Sequence, residues 1–347
     1  MTEAAAAAPV FLQSWWRTSS TYVWSRLRRN PALCCYSEPL HEMVGGLIPI
    51  MTHGTVDDVA VQRLHHPPMQ RPYFAEYEPL VRAGTVGFSK ALSYDRFLLY
   101  PDEPDEELLG YLSGLAASAR ERGRRPLFAC VRGSLRAAWM RRRFGGVHLA
   151  LLRNPRDQWG SMLEQQAQGG AYFTAGVIAV AAKLAARFPR AFAHVPVKLV
   201  NYRGPNYNPS ELGRYGAFAR ELDPALGYAL FMPVWIASAL QLVSVCDTVL
   251  DSDRISAEPA ARAAAQEALA AHGLPVDFSD WATPRHPELA LEPARLEAIE
   301  AEAVRALAGE ARPLAVFSPA RIRARAPELE PLSGRLLLQT LEALGAA

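Results

Sequence analysis

The sequence predicts an α/β protein built on a parallel sheet of about five strands, with helices on both faces. Two observations carry this prediction. Half of the 347 residues are hydrophobic, which is enough for a large core. Short, continuously apolar runs alternate with longer helical patterns, and such runs are typical of parallel strands buried on both faces.

The elements follow in order along the chain. Strand-like runs lie near residues 9–14, 32–37, 126–131, 147–152 and 246–251, and helical patterns near 20–29, 105–123, 134–143, 156–168, 173–187, 226–244 and 258–272. Residues 41–104 are rich in Pro and His and break the alternation, which indicates a substrate-facing insertion. Residues 282–347 predict a helical C-terminal extension. We therefore expect one α/β domain over residues 1–347.

Residues 10–21, VFLQSWWRTSST, join an apolar strand to a polar loop and the start of a helix. In such a unit the unpaired N–H groups and the helix dipole favour an anion at one point. The side chains available there are one guanidinium and four hydroxyls, from Arg17, Thr18, Ser19, Ser20 and Thr21. Arginine can pair with two oxygens of a phosphate or sulfonate. From this segment alone, an anion site and a simple helix entrance capped by Ser or Thr are both open.

A second strand and helix, HLALLRNPRDQWGSML at residues 148–163, places Arg153 at the strand end and Ser161 on the helix. Together the two segments resemble the P-loop sulfotransferases, and the continuation SRLRRNPALCCYSEP looks like the bacterial, carbohydrate-sulfotransferase type. The resemblance implies a P-loop-like sheet and 3′-phosphoadenosine 5′-phosphosulfate (PAPS) as donor. Residues 17–21 would then hold the 5′-phosphosulfate, and Arg153 with Ser161 the 3′-phosphate. Asp247–Asp280 resembles a strand, Asp and helix found late in many members.

The same resemblance implies the reaction. A sulfuryl group moves to a hydroxyl or amine of a small-molecule or carbohydrate acceptor, PAP (adenosine 3′,5′-bisphosphate) is the product, and no metal takes part. Arg17 would stabilise the leaving group. Glu38 would be the general base, at the end of the second strand beside the first, with His41 as a rival and His53, His65 and His66 as others. The alternative for Glu38 is an ordinary helix-capping carboxylate before Pro39.

One departure concerns Ser19, because the family usually has Gly there, and Gly is favoured where φ is positive. Further candidates are two arginines for oxyanions and three tryptophans that could stack on adenine or pack in the core: Arg132, Arg136, Trp15, Trp16 and Trp159.

Two other functions stay open. One is a nucleotide-dependent kinase or phosphotransferase, although the loop lacks the Gly-x-x-x-x-Gly-Lys pattern. The other is a non-catalytic nucleotide-binding protein of the same fold.

Composition limits the remaining classes. The formal net charge is +2, from 37 Lys and Arg against 35 Asp and Glu, so there is no basic excess of the kind that marks nucleic-acid binders. The four cysteines have no metal-ligand spacing and predict buried thiols in a cytoplasmic protein. The uncharged stretch Ala225–Cys246 contains Pro233 and predicts a buried helix rather than a membrane span. The N-terminus has no basic region typical of a secretory signal.

Overall fold

The computed structural model describes residues 8–53, 69–193, 209–283, 289, 291–310 and 317–345. The chain forms two compact units. The sheet unit comprises Met1–Ser93, Leu99–Leu151 and Cys246–Thr283. The helical unit comprises Tyr94–Leu98, Leu152–Val245 and Pro284–Ala347. The single domain over residues 1–347 stays a prediction.

Seven strands form two sheets among the described residues: β1 (Val10–Gln13), β2 (Leu33–Ser37), β3 (Val81–Arg82), β4 (Gly84–Thr85), β5 (Arg125–Cys130), β6 (Val147–Leu152) and β7 (Thr248–Asp251). The large sheet has the order β2-β5-β1-β6-β7 and is all-parallel, which confirms the α/β prediction. Gln13 of β1 is opposite Cys130 of β5 and Ala150 of β6. The strands therefore end at one edge, where open parallel sheets bind ligands.

The position of β2 differs from the sequence prediction. We expected β2 to lie beside β1, but β5 pairs with both and separates them. Both strands are buried along their whole length, so their local sequences do not distinguish an inner strand from an edge strand, and the order is set by pairing between distant segments. Glu38 at the end of β2 is thus two strands away from the end of β1.

Helices surround this sheet and build the second unit. In chain order they are α1 (Ser20–Leu27), α2 (Ile50–His53), α3 (Ala91–Tyr94), α4 (Glu106–Glu121), α5 (Ala137–Phe144), α6 (Pro155–Ala167), α7 (Tyr172–Ala185), α8 (Pro209–Glu221), α9 (Pro224–Val245), α10 (Ser252–Ala257), α11 (Pro259–Ala271), α12 (Pro293–Ala308), α13 (Pro319–Arg325) and α14 (Pro331–Ala343). The last three confirm that the C-terminal extension is helical.

Alternating residues of the strands divide the core of the sheet unit into two layers. Leu12 faces α1 and α11, packing with Trp24 and Leu269. Phe11 faces α4 and α5, packing with Leu112 and Trp139. The insertion adds Val44, Leu47, Tyr77 and Leu92 to this second layer. The described part of the insertion therefore completes the core, and its role in facing a substrate stays a prediction.

Helix α9 is the central helix of the helical unit, where it packs against α7 and α12. Most of its residues are buried, including Pro233, so the predicted buried helix is confirmed. By length and composition, α9 is the one helix among the described residues that could cross a membrane, and 89% of its most apolar window is buried inside the protein. Core helices of soluble proteins pass the same test, so this observation carries little weight for a membrane.

Candidate functional site

The loop after β1 contains two residues with left-handed backbone. Arg17 and Ser19 both have φ of 63°, and the third such non-glycine residue among the described residues is Glu38, with φ of 39°. Left-handed backbone costs a residue with a Cβ on the order of 1–3 kcal/mol, and it persists where the surrounding structure enforces it, often at functional sites. All three strained residues belong to the site predicted from the sequence.

This loop is held by hydrogen bonds within the loop itself, to strand β5 and to the first residue of helix α10. The Thr18 hydroxyl donates to the Trp15 carbonyl at 2.9 Å, and the Ser252 hydroxyl donates to the Thr18 carbonyl at 2.8 Å. The Ser14 N–H donates to the Cys130 carbonyl of β5 at 3.2 Å. Since its proton is used within the loop, the Thr18 hydroxyl stabilises the strained backbone in this conformation instead of pointing at a ligand.

The start of α1 is not a helix entrance capped by a side chain. Ser19 precedes the helix, but its side chain makes no capping hydrogen bond, and the first turn has no acidic residue. The Ser19 hydroxyl lies 3.4 Å from the Thr283 hydroxyl, and the Thr21 hydroxyl lies 3.4 Å from that of Tyr73. The N–H groups of the first turn and the positive end of the helix dipole thus lack the local oxygen of a Ser or Thr cap, which favours the anion-site interpretation.

Glu38 forms a buried ion pair instead of capping a helix. Its N–H donates to the Ala129 carbonyl at 2.9 Å, which continues the pairing of β2 with β5. Its Oε2 accepts a hydrogen bond from Nη1 of Arg132 at 2.8 Å, and 16% of the Glu38 side chain is exposed. The carboxylate at the end of β2 is therefore held in place by a guanidinium that is almost completely buried.

Arg132 also binds a second carboxylate and touches the loop. Its Nη2 donates to Oε2 of Glu42 at 2.8 Å, and only 1% of its side chain is exposed. The guanidinium carbon lies 5.4 Å from the ring centre of Trp16, within cation–π range. Arg132 therefore links Glu38 to the residue immediately before Arg17.

His41 caps the 3-10 turn Glu42–Gly46. Its Nδ1 accepts a hydrogen bond from the Met43 N–H at 3.1 Å. Burial and the positive charge of Arg132 lower the pKa of His41, against the opposing charges of Glu38 and Glu42. His41 is therefore neutral near pH 7, and the hydrogen bond assigns its proton to Nε2. The nitrogen that could take a proton already accepts this hydrogen bond, so Glu38 is the better candidate for a base of the two residues.

The second motif lies in the helical unit, whereas residues 17–21 lie in the sheet unit. Arg153 directly follows β6 and is 3% exposed. Oδ1 of Asn154 accepts a hydrogen bond from the Arg156 N–H at 2.8 Å, and Pro155 occupies the first helical position, so the Arg-Asn-Pro sequence begins α6. Ser161 is fully buried in the same helix.

The other candidates have different surroundings. Arg136 donates to the carbonyls of Leu92 and Ser93, at 2.6 and 3.2 Å, so it stabilises backbone and its assignment as an oxyanion ligand is not supported. Trp159 stacks on Phe231 with ring centres 5.6 Å apart, which is core packing.

The structure also describes two of the tryptophan candidates and one of the remaining histidines. Trp15 and Trp16 are buried with ring centres 4.7 Å apart. His53 is exposed beside Glu78, and His65 and His66 lie outside the described residues.

Sequence reasoning missed residues that support the loop from a distance. Ser252 and Thr283 lie more than two hundred residues from the loop they contact, and Tyr73 lies in the insertion. Burial and the negative charge of Glu38 raise the pKa of Tyr73, so its hydroxyl stays protonated beside Thr21. The one signal for Ser252 was its position directly after β7, at the edge where the other loops lie.

Among the described residues, no group of three or more His, Cys, Asp or Glu is placed to hold a metal ion. The four cysteines are free and buried, as the sequence predicted. Comparison of the chain with family models, with curated proteins and with solved structures finds no match. The function of the chain is therefore inferred from the geometry of its own residues.

Proposed function

We propose that this protein is a PAPS-dependent sulfotransferase that acts on a hydroxyl or amine of a small-molecule or carbohydrate acceptor, without a catalytic metal. The observation that carries the proposal is the strained backbone of Arg17, Ser19 and Glu38 in two loops at the ligand-binding edge of the sheet. Strained residues of this kind cluster at active sites and ligand-binding sites.

The proposed chemistry assigns one task to each strained loop. The acceptor oxygen attacks the sulfur in line, and its proton passes to the Glu38 carboxylate. The bond between sulfur and the bridging oxygen breaks, and its electron pair stays on the 5′-phosphate of PAP. Arg17 and the N–H groups at the start of α1 would bind the phosphosulfate and stabilise the charge that develops on the bridging oxygen.

The residues of the loop fit a doubly anionic group. Arg17 is half-buried beside a helix start that has no acidic residue in its first turn. A left-handed residue in a turn directs successive N–H groups to one side, as in anion-binding backbone nests. For the second motif, we propose that Arg153 and Ser161 bind the 3′-phosphate. Both are buried, and a charge-assisted hydrogen bond is stronger away from water.

Thermal unfolding in the presence of nucleotides tests the proposal. A ligand that binds only the folded state, at about 100 times its Kd, stabilises that state by about 2.7 kcal/mol. We expect PAP without added metal to raise the Tm more than AMP does, since two motifs should favour phosphates at both ends. Arg153→Ala should remove most of this difference, whereas Arg142→Ala, at an exposed arginine paired with Asp102, should preserve it.

Other outcomes of this experiment would contradict the two-motif site or favour a different function. Equal shifts with AMP and PAP would contradict binding by two motifs. A larger shift with ATP and Mg²⁺ than with PAP would favour a kinase. Binding of PAP without consumption of PAPS over a broad acceptor panel would favour a non-catalytic nucleotide-binding protein.

A further inference from the structure

A single guanidinium holds two carboxylates at the end of β2. Arg132 uses different nitrogens for Glu38 and Glu42, each at 2.8 Å, and its side chain is almost completely buried. When both carboxylates are ionised, the three side chains carry one net negative charge. One of the two carboxylates can therefore take a proton while the guanidinium keeps an ionised partner.

We infer that Arg132 is a positioning residue for Glu38, and that Glu42, as the second carboxylate on the same guanidinium, allows Glu38 to take a proton from the acceptor. The inference depends on the proposed function, in which Glu38 takes the acceptor's proton. If Glu38 were the only partner of Arg132, its protonation would leave a buried guanidinium without a counter-charge, which is costly. Because Glu42 stays ionised and bound to Arg132, protonation of Glu38 avoids that cost.

The position of Arg132 also fixes where the base lies. Nη1 and Nη2 bind the two carboxylates, while the guanidinium carbon lies 5.4 Å from the ring centre of Trp16 in the loop. The planar group restrains direction as well as distance. A lysine in its place would keep the charge but lose the two-pronged geometry.

Other titratable groups around Glu38 are neutral near pH 7. Burial lowers the pKa of His41 and raises the pKa of the Tyr73 hydroxyl and of the Cys130 thiol. The charged groups in the contacts described around Glu38 are thus Arg132 and Glu42. A change at either one should alter the ease with which Glu38 takes a proton.

The decisive variant is Glu42→Gln, which keeps size and hydrogen bonding but removes the charge. Loss of a nearby negative charge makes Glu38 harder to protonate, so the acid limb of the pH–rate profile for PAPS turnover should move down by about one pH unit. At neutral pH the rate should fall about threefold to tenfold, because a weaker base removes the proton less well. Glu76→Gln is the matched control, because Glu76 is also buried and paired with an arginine, Arg28, and the acid limb should stay in place.

Substitution of Arg132 separates charge from geometry. Arg132→Lys should lower the rate by about tenfold or more while the acid limb stays near its wild-type position. Lysine keeps the positive charge but cannot hold two carboxylates in the fixed planar geometry of a guanidinium. Arg132→Met should move the acid limb to higher pH. If Arg132→Met fails to fold, the comparison of Glu42→Gln with Arg132→Lys still decides the question.

A measurement without turnover separates this inference from the proposed function. In protein labelled with ¹³C at the glutamate carboxyls, the Glu38 resonance is identified by its loss in Glu38→Gln. Its titration midpoint should move to lower pH in Glu42→Gln and stay unchanged in Glu76→Gln. An unchanged midpoint in Glu42→Gln would overturn the inference. A midpoint that moves in a protein that never consumes PAPS would support the network and count against the sulfotransferase.

Discussion

Ser19 has φ of 63° and ψ of 22°, a backbone conformation that glycine adopts without penalty and serine does not. Glycine was the residue expected at this position from the sequence, and a positive φ is the backbone geometry that favours glycine. The serine hydroxyl contacts Thr283 without capping α1. The side chain therefore gives the helix little in return for the strain.

Ser19→Gly is expected to stabilise the protein by about 0.5–1 kcal/mol, because relief of a strain of about 1–2 kcal/mol exceeds the entropy that glycine adds to the unfolded chain. Urea unfolding measures the difference. The same change at Ser25, in the middle of α1, should destabilise by about 0.5 kcal/mol because its backbone is helical. A destabilised Ser19→Gly variant would show that the Thr283 contact outweighs the strain.

Arg17 shares the left-handed backbone, but here the side chain has the proposed role. Arg17→Gly should also gain stability while lowering single-turnover release of PAP by about a thousandfold or more, the scale of losing oxyanion stabilisation. Arg17→Lys should retain a measurable part of the rate because it keeps the charge. Wild-type turnover in Arg17→Gly would contradict the catalytic role, and a gain of stability together with loss of turnover would show strain maintained for function.

The sequence predicts such local features better than pairings between distant residues. The strand–loop–helix around Arg17 is encoded in twelve consecutive residues. The ion pair of Glu38 with Arg132 joins residues 94 positions apart, and no local pattern indicates which arginine meets which carboxylate. Arg132 and Arg136 look alike in sequence, yet one holds two carboxylates and the other holds two backbone carbonyls.

Among the helices and strands, too, local features are predicted better than pairings between distant segments. Each strand of the large sheet lies within two residues of its predicted position, because a continuous apolar run between polar turns marks a buried strand. Helix α8 was not predicted, since PSELGRYGAFARE has two glycines and few large apolar residues. The order of strands in the sheet is set by packing between distant segments, which explains why β5 was not expected between β1 and β2.

The whole chain alternates between the two units, with residues 94–98 and 152–245 of the helical unit interrupting the sheet unit. Composition predicted the size of the core but not this division. Both candidate motifs follow strands, yet they belong to different units. The fold alone does not show that they bind one nucleotide, and the PAP experiment tests this.

Acid stability is a further property of the folded chain, and His148 in β6 is expected to limit it. The ring stacks on Phe11 with centres 4.7 Å apart, and Nε2 lies 2.9 Å from the Gly145 carbonyl. Burial and the positive charge of Arg141 lower the pKa of His148 from 6.5 to about 4. The neutral ring is therefore the form that fits the core.

Between these two pKa values the unfolded chain binds more protons than the folded one, so the free energy of unfolding falls as the pH drops from about 6.5 towards 4. The full loss from this residue is roughly 3 kcal/mol. Burial raises the pKa of Asp247, but its hydrogen bonds with Arg141 and the His148 N–H outweigh this and lower it below 3.8. Its stabilising effect is therefore lost only at more acidic pH, so measurements between pH 7 and 4.5 leave Asp247 out. The pKa of His41 is also lowered, and the comparison of the wild type with a His148 variant separates the two histidines.

Urea unfolding at pH 7, 5.5 and 4.5 should show a steep loss of stability in the wild type and a shallower one in His148→Phe. The phenyl ring can keep the stack on Phe11 and has no proton to gain. It forfeits the hydrogen bond to Gly145, so the variant should start about 1 kcal/mol less stable at pH 7. His53→Gln, at a histidine that is 59% exposed, should keep the wild-type slope. Equal slopes for wild type and His148→Phe would mean that the His148 ring takes up its proton in the folded protein as easily as in the unfolded chain.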